Sequence, residues 1–415
     1  MARIVVVGGS LGGLFAANVL HRDGHDVTVL EKARGSLDGR GAGIVSHDAL
    51  ERALRRAGLQ VDASLGVPVP GRVMLAQNGS IEALLDMPQI LTSWSRLYQL
   101  LRDAFPVERY IPDAAVTGIT QQAERVLVHA NAEGLVRQWE CDILIASDGI
   151  RSTVRQCCFP DAQPRYAGYV AWRGVCDEAV LSKHMRDTLF PRFGFCMTEA
   201  EHVTGYPIAG QDNNLAPGKR GYNYVWYRRT PTGQALDELM TDADGVHYPQ
   251  GIPPQLVSWR QVSRMRRDAE RLLAPQFAEA IEKSALPFFQ PIFDLHSDQI
   301  ASGRVAIMGD AAFVARPHIG MGVTKAAEDA LALSDLLREY GATPEALQAY
   351  QRIRQPVGAE AVRRARWLGG YIEQASDSPV PQAVQIADSA ERSRLTLHET
   401  AIDLELYGHL SAFNG

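Results

Sequence analysis

A glycine-rich turn close to the N-terminus is the first feature of the sequence that could do chemistry. It follows the apolar run Arg3–Val7 and reads Gly8-Gly9-Ser10-Leu11-Gly12-Gly13. A dinucleotide turn needs a glycine after the strand, a small residue beside the pyrophosphate and a glycine where helix meets strand. Gly8, Ser10 and Gly13 occupy these places, and Glu31 ends the next apolar run, where a carboxylate can bind ribose hydroxyls. The pattern predicts a nucleotide site; the alternative is a structural tight turn.

Two later acidic turns each follow a fully apolar run. Asp148-Gly149 comes after Ile143–Ala146, and Gly309-Asp310 comes after Val305–Met308. Such runs are typical of strands buried inside a parallel sheet. The second turn leads into the segment Pro317–Gly322 and a predicted helix, whose N-terminus would offer unpaired N–H groups. Either turn alone is common, so only the three segments together favour a cofactor site.

The elements around these segments follow from hydrophobic spacing. Arg3–Val7, a helix at Leu14–Arg22 and Asp26–Leu30 form a predicted βαβ unit. Asn78-Gly79 is a favoured hairpin turn. Four aromatic-rich runs predict one antiparallel sheet, which could be a sandwich core or the wall of a pocket for an aromatic ligand. These runs are Tyr169–Val175, Phe193–Met197, His202–Ile208 and Tyr222–Tyr227.

In their order, the three glycine-rich segments resemble the class A flavoprotein aromatic hydroxylases, the family of para-hydroxybenzoate hydroxylase, over roughly residues 1–370. Gly41-Ala42-Gly43-Ile44 is similar to the family's loop near the flavin, and Arg96 matches its FAD-contacting arginine. Phe313 and Met321 stand where many relatives have histidine and glutamine, and Lys325 lies near the usual asparagine. The resemblance implies FAD as the cofactor, with contacts from Gly8, Ser10, Leu11, Gly12, Gly13, Glu31, Lys32, Gly43, Ile44, Arg96, Asp148, Gly309, Asp310, Pro317, Gly320, Met321 and Gly322.

The same resemblance implies an α/β fold with a Rossmann-like FAD-binding domain, an antiparallel-sheet substrate domain and a helical C-terminal region. A chain of 415 residues also exceeds what one hydrophobic core usually serves. The FAD-binding domain is predicted to be discontinuous. The predicted ranges are 1–70, 93–160 and 295–345 for the FAD-binding domain, 71–92 and 161–294 for the substrate domain, and 346–415 for the C-terminal region.

The implied activity is hydroxylation of an electron-rich aromatic ring. NADH or NADPH would reduce FAD, and O₂ would react with the reduced flavin to give a flavin hydroperoxide. The expected substrate is a hydroxylated pyridine such as 2,6-dihydroxypyridine. The alternative is decarboxylative or simple hydroxylation of an aromatic acid such as 6-hydroxynicotinate or a hydroxybenzoate. A carboxylate substrate would favour an arginine in the pocket, for which Arg173, Arg192 and Arg316 are candidates.

The catalytic prediction rests on deprotonation of a ring hydroxyl, which would make the ring more nucleophilic. That step favours a histidine or tyrosine that titrates near neutral pH or belongs to a hydrogen-bonded relay. His318, beside Pro317, is the first candidate and Tyr206 the second; His202 lies on the same face of a continuous strand as Tyr206. Each could instead be a core or surface residue. The predicted substrate pocket contains Val45, Phe193, Tyr206 and His318.

Three other classes of function remain open at this point. A flavoprotein dehydrogenase could share the fold. A halogenase would need a dedicated lysine and a tryptophan-rich motif, which the sequence lacks. A nucleotide-sensing binding module would need no catalytic residue, and a yellow purified protein would argue against it.

Composition narrows the partners and the location. A formal net charge of −6 supplies no general attraction for nucleic acid or an anionic membrane. No run of about 18 apolar residues predicts a membrane span, so a cytoplasmic enzyme is expected. A homodimer is one oligomeric state that the sequence leaves open. The five cysteines include no CxxC pair, and the histidines are scattered; neither a disulfide framework nor a metal site is therefore expected. The expected partners are a small aromatic substrate and O₂.

Overall fold

The computed structural model describes residues 1–37, 43–372 and 389–402. The strands are β1 (Arg3–Val7), β2 (Asp26–Leu30), β3 (Gly43–Val45), β4 (Val67–Leu75), β5 (Ile81–Ser93), β6 (Tyr110–Ile111), β7 (Ala114–Gln121), β8 (Val126–Ala132), β9 (Leu135–Cys141), β10 (Ile143–Ala146), β11 (Arg165–Asp177), β12 (Phe193–Met197), β13 (His202–Ile208), β14 (Gly221–Arg229), β15 (Phe288–Asp294), β16 (Ala301–Ser302) and β17 (Val305–Ile307).

The helices alternate with these strands along the chain. They are α1 (Leu11–Arg22), α2 (Asp48–Arg56), α3 (Trp94–Ala104), α4 (Thr153–Cys158), α5 (Lys183–Thr188), α6 (Gln234–Leu239), α7 (Trp259–Leu272), α8 (Pro275–Lys283), α9 (Gly322–Tyr340), α10 (Pro344–Gly369) and α11 (Ser389–Glu399). None of the helices in the described ranges is long and apolar enough to cross a membrane.

A six-stranded sheet, in the order β16-β17-β10-β1-β2-β6, forms the first core. The strands β17, β10, β1 and β2 are parallel to one another, so their carboxyl ends meet at one edge. β10 and β17 are fully buried, as their unbroken apolar runs predicted, and β1 is buried except for Arg3. The glycine-rich turn, Glu31 and the two acidic turns all follow these ends, which confirms the predicted βαβ start and brings the three segments together.

An eight-stranded sheet, in the order β15-β11-β14-β13-β12-β4-β5-β3, forms the second layer. The predicted hairpin at Asn78-Gly79 and the four aromatic strands are all present. β12 and β4 pair in parallel, and this pairing joins the β4-β5 hairpin to the aromatic strands. One face packs against α7 and α8, which the sequence interpretation left unassigned.

The predicted domain ranges stay a prediction, and the strands cross them. β3 lies within 1–70, and β4 begins at Val67, yet both belong to the larger sheet. The described part of the predicted C-terminal region contains α11 and all of α10 except its first two residues. Residues 373–388 and 403–415 of the predicted C-terminal region lie outside the described residues, as do Gly41 and Ala42 of the predicted flavin loop.

A buried ion cluster ties the second sheet to the segment that precedes α9. Asp294, the last residue of β15, accepts hydrogen bonds from the Arg316 guanidinium at 2.7, 3.0 and 3.2 Å. Arg366 of α10 adds a bond of 3.1 Å to the same carboxylate. Both Asp294 and Arg316 are almost completely buried. The cluster therefore fixes the start of the Pro317–Gly322 segment relative to a strand of the larger sheet and to α10.

We expect Asp294→Ala to destabilise the fold strongly. It removes the carboxylate from a buried guanidinium, and breaking a buried pair in this way costs about 3–5 kcal/mol. Denaturant unfolding followed by circular dichroism would show a lowered midpoint. The matched control is Asp187→Ala, which removes an exposed partner of Lys183 and should leave the midpoint nearly unchanged. Equal midpoints for wild type and Asp294→Ala would contradict the role assigned to the cluster.

Candidate active site

A cavity of about 460 Å³ opens at the carboxyl edge of the parallel sheet. Gly8, Ser10, Glu31, Lys32 and Asp148 line it, as predicted for the nucleotide half of a cofactor site. The Glu31 carboxylate accepts hydrogen bonds from the main-chain N–H groups of Gly9 at 2.7 Å and Ala33 at 2.8 Å. These bonds hold the side chain in one position while leaving it at the cavity wall.

The glycines at this turn are required by close approaches within the protein. Gly8 has a φ of +98°, and a Cβ there would lie 2.4 Å from the main-chain oxygen of Ser147. A Cβ on Gly13 would lie 1.8 Å from the oxygen of Gly8. The turn is therefore tight enough to start α1 directly at the strand end. The first N–H groups of α1, among them those of Leu11 and Gly12, lack intrahelical partners and can bind phosphate.

Asp148 and Arg96 have contacts within the protein. Asp148 Oδ2 accepts a bond of 2.8 Å from the N–H of Thr153 at the start of α4, and burial raises the pKa of Asp148 despite this bond. Arg96 donates to Ser64 Oγ at 3.1 Å and is not among the residues that line the two cavities described here. FAD contacts by these two residues stay predictions.

A second cavity of about 280 Å³ lies between the larger sheet and the segment before α9. It brings together most of the remaining predicted site. Gly43 and Ile44 of β3 line it together with Asp310, Pro317, Gly320, Met321 and Gly322. The predicted substrate-pocket residues Val45, Phe193, Tyr206 and His318 line the same cavity, as does His202, which was predicted only as a catalytic residue. Gly309, which precedes Asp310 in the sequence, donates its main-chain N–H to the Asp329 carboxylate.

The residues of the two cavities fit a bound FAD. Asp310 is solvent-accessible at the cavity, and desolvation by the surrounding protein raises the pKa of its carboxyl, an effect that Lys325 opposes. α9 begins at Gly322 without a side-chain cap, so its first N–H groups face no intrahelical acceptor. A Cβ on Gly322 would meet open space. Carboxylates at Glu31 and Asp310 and two uncapped helix starts are suited to ribose or ribityl hydroxyls and to a pyrophosphate.

His318 occupies the wall of the second cavity in an apolar, aromatic setting. Its Nε2 lies 2.7 Å from the hydroxyl of Tyr169, while its buried Nδ1 has no hydrogen-bond partner among the described residues. The ring centroid lies 4.4 Å from that of Tyr227 and 5.1 Å from that of His202. Desolvation, with smaller contributions from His202 and Arg316, holds the pKa of His318 well below its usual value. The lowered pKa disfavours the imidazolium form, and the bond to Tyr169 is a hydrogen-bonded contact of the kind that the sequence analysis gave as the alternative to titration near neutral pH. The catalytic role of His318 stays a prediction.

His202 and Tyr206 share one face of β13, as the strand spacing predicted. His202 Nδ1 is hydrogen-bonded to the hydroxyl of Tyr371, and burial lowers the pKa of His202 to about 3. Tyr206 packs edge-on against Phe193, with centroids 4.9 Å apart, and burial raises the pKa of its phenol. A Cβ on Gly43 would lie 2.2 Å from the Tyr206 ring, so the glycine lets β3 approach the pocket wall.

Sequence reasoning missed Tyr227, which lines the second cavity, and Tyr169, which contacts the lining residue His318. Tyr169 and Tyr227 were assigned to strands without a site role, although alternation along β11 and β14 would have placed them on one face. The end of α11 was also missed. Thr400 and Ala401 line the second cavity, and Ala401 donates its N–H to Ile319 at 3.0 Å. No local pattern signals this long-range contact.

The residues that depart from the family pattern are buried. Phe313 lies against α10, where a Cβ on Gly358 would come within 2.2 Å of its ring. Lys325 is buried on the first turn of α9, 4.0 Å from Asp329. Among the described residues, no group of histidine, cysteine, aspartate or glutamate side chains could hold a metal ion.

Comparison with known proteins adds the family. The FAD binding domain family matches residues 1–214 and 278–365, and an FAD binding domain-like family matches residues 166–294. The 2,6-dihydroxypyridine 3-monooxygenase of Paenarthrobacter nicotinovorans is 31% identical, across 89% of this chain and 91% of that protein. The 3-amino-4-hydroxybenzoate 2-monooxygenase of Streptomyces cremeus is 27% identical, across 98% and 95%.

A solved structure shares the whole architecture. The 2,6-dihydroxypyridine-3-hydroxylase from Arthrobacter nicotinovorans superposes with a TM-score of 0.83 at 28% identity, across 93% of this chain and 96% of that one. The fold, the cofactor cavities and these relatives agree with the resemblance read from the glycine-rich segments. The chain belongs to the class A flavoprotein aromatic hydroxylases, the para-hydroxybenzoate hydroxylase family, and is an FAD-dependent aromatic-ring monooxygenase that uses NAD(P)H and O₂.

Proposed function

We propose that the enzyme hydroxylates a hydroxylated pyridine or a similar N-heteroaromatic ring, such as 2,6-dihydroxypyridine. The observation that carries this proposal is the second cavity, where a neutral imidazole with a buried, unpartnered Nδ1 lies among aromatic rings. An unsatisfied buried nitrogen is costly, and a ring hydroxyl or ring nitrogen of the substrate would satisfy it. The similarity to 2,6-dihydroxypyridine 3-monooxygenase supports the same substrate class.

FAD, when bound, accepts hydride from NAD(P)H and activates O₂ for insertion of one oxygen atom into the ring. The residues of the chain bind, orient and polarise the substrate. If His318 Nε2 donates its proton to the Tyr169 oxygen, Nδ1 becomes the acceptor for a ring hydroxyl proton. An oxyanion formed beside this imidazole would stabilise the imidazolium. It would so offset the lowered pKa that His318 has before a substrate binds. Tyr206 and Phe193 would hold the ring, and the enclosing walls would exclude water.

A second candidate is hydroxylation, decarboxylative or simple, of an aromatic acid such as 6-hydroxynicotinate or a hydroxybenzoate. Arg173 lines the second cavity and favours this candidate, whereas Arg316 is paired with Asp294 and Arg192 is not among the residues that line this cavity. The similarity to a 3-amino-4-hydroxybenzoate monooxygenase supports it as well. We further propose a cytoplasmic, homodimeric enzyme that binds neither nucleic acid nor membrane.

The substrate proposal predicts substrate-stimulated NAD(P)H oxidation by hydroxypyridines. The yellow holoenzyme should oxidise NADH or NADPH faster with 2,6-dihydroxypyridine than with hydroxybenzoates, because the cavity offers imidazole and phenol groups to ring nitrogen and hydroxyl groups. Mass spectrometry should show a product heavier by one oxygen atom. Stimulation by hydroxybenzoates alone would contradict the pyridine proposal and support the aromatic-acid candidate.

Asp310→Ala should weaken FAD binding. The change removes a carboxylate at the flavin side of the site, and loss of one charge-assisted hydrogen bond weakens binding by roughly tenfold or more. Flavin absorbance per chain after dialysis measures the effect. Asp298→Ala, at an exposed carboxylate, is the matched control. Full FAD retention by Asp310→Ala would remove this residue from the cofactor site.

His318→Ala should retain FAD but lose coupled hydroxylation. General-base catalysis contributes about 10²–10⁴-fold, so product formation should fall by that range while NAD(P)H oxidation continues with release of hydrogen peroxide. The exposed His247 gives the control variant His247→Ala. Unchanged turnover and unchanged coupling in His318→Ala would show that His318 has no catalytic part.

A further inference from the structure

Arg173 of β11 belongs to the aromatic wall of the second cavity. Strand register places Arg173 opposite Val225, and Val225 opposite Thr204, so the three side chains form one row across β11, β14 and β13. The adjacent row contains Tyr227 and His202. Residues paired across strands share a face of the sheet, and all five line the cavity. The guanidinium therefore belongs to the surface that would receive the ring.

The charge of Arg173 has no carboxylate partner within the described part of the chain. Its buried Nε–H donates no hydrogen bond to any of the described residues. The other lining arginine, Arg316, is bound by Asp294 at 2.7 Å. The other ionisable lining groups are Asp310, which is expected at the flavin, the two histidines, whose pKa values burial lowers, and two tyrosines, whose pKa values burial raises. Arg173 is thus the lining cation that has no carboxylate partner among the residues the structure describes.

Two phenols lie close enough to Arg173 to experience its field. Burial raises the pKa of Tyr227 to about 12, and Arg173 acts in the opposite direction. Arg173 also opposes the rise in the pKa of Tyr206. The positive charge of Arg173 therefore acts on both phenol groups of the cavity wall.

We propose that Arg173 binds an anionic oxygen carried by the substrate ring, and that it selects charged rings over their neutral counterparts. The anion is either a ring carboxylate or an ionised ring hydroxyl, which present the same charged acceptor to a guanidinium. This inference rests on the proposed function in requiring an aromatic ring in the second cavity. It makes Arg173 a specificity-determining residue, separate from the proton exchange assigned to His318.

The test compares matched charged and neutral rings on the FAD-loaded enzyme. Dissociation constants from the change in flavin absorbance are measured for 6-hydroxynicotinate against 6-hydroxynicotinamide, and for 4-hydroxybenzoate against 4-hydroxybenzamide. 2,6-Dihydroxypyridine is titrated at pH values on either side of its hydroxyl ionisation. The variants are Arg173→Gln, Arg173→Lys and, as the control, Arg229→Gln at an exposed arginine of β14.

Wild type should favour the charged member of the relevant pair. Arg173→Gln should lose roughly 10- to 100-fold in affinity for the charged ring and keep the affinity for the neutral ring, which also reports that the variant is folded. Arg173→Lys should restore part of the preference, and Arg229→Gln should match wild type. Under turnover, Arg173→Gln should raise KM more than it lowers kcat. Equal affinity of Arg173→Gln and wild type for every charged ring would overturn the inference.

The two proposals fail in different ways. A preference for benzoate over benzamide that depends on Arg173, without oxidation of any pyridine, would support the anion site and overturn the pyridine substrate. A wild-type preference confined to ionised dihydroxypyridine would assign the anion to a ring hydroxyl. Hydroxylation of pyridines by an enzyme indifferent to ring charge would keep the proposed function and overturn the role of Arg173.

Discussion

The buried Asp294 carboxylate is the interaction on which the geometry of the second cavity depends. It receives Arg316 from the segment before α9 and Arg366 from α10, while Asp294 itself ends a strand of the larger sheet. Arg316 also lies over the ring of Tyr169, 5.7 Å from its centroid, and Tyr169 contacts His318. A charge pair in the interior requires close, satisfied geometry, so the cluster holds the wall of the pocket and the flavin-side segment in one arrangement.

Burial in this cavity also sets its electrostatics. The same dense packing that encloses a ring withdraws water from His318, His202 and Tyr227, which keeps the imidazoles and the phenol uncharged. In such a setting a single cation is felt strongly, because little solvent screens it. A neutral proton acceptor and Arg173, which has no carboxylate partner among the described residues, are together complementary to a ring that carries an ionisable hydroxyl or a carboxylate.

The C-terminal segment, residues 389–402, contributes to the wall of the second cavity and contacts parts of the chain that are distant in sequence. Arg72 of β4, completely buried, donates to the main-chain oxygen of Leu397 at 2.8 Å and to that of Ala401 at 3.2 Å. Position 320 has room only for a glycine, because a Cβ there would lie 2.5 Å from the Cβ of Ala401. Gly320 has a left-handed backbone, with a φ of +61°. It forms the flavin-side turn and also leaves space for Ala401.

The sequence by itself determined the local parts of the protein. Steric limits at Gly8 and Gly13, unbroken apolar runs such as Ile143–Ala146 and alternation along His202–Ile208 depend on near neighbours in the chain, so they predicted the parallel sheet, the cofactor turn and the shared face of His202 and Tyr206. Tertiary structure alone decided which arginine faces the pocket, which tyrosine contacts His318 and where Ala401 lies. Those outcomes depend on strand order, on the parallel pairing of β12 with β4 and on burial, and a residue's charge or pKa in the fold is set by neighbours that are remote in sequence.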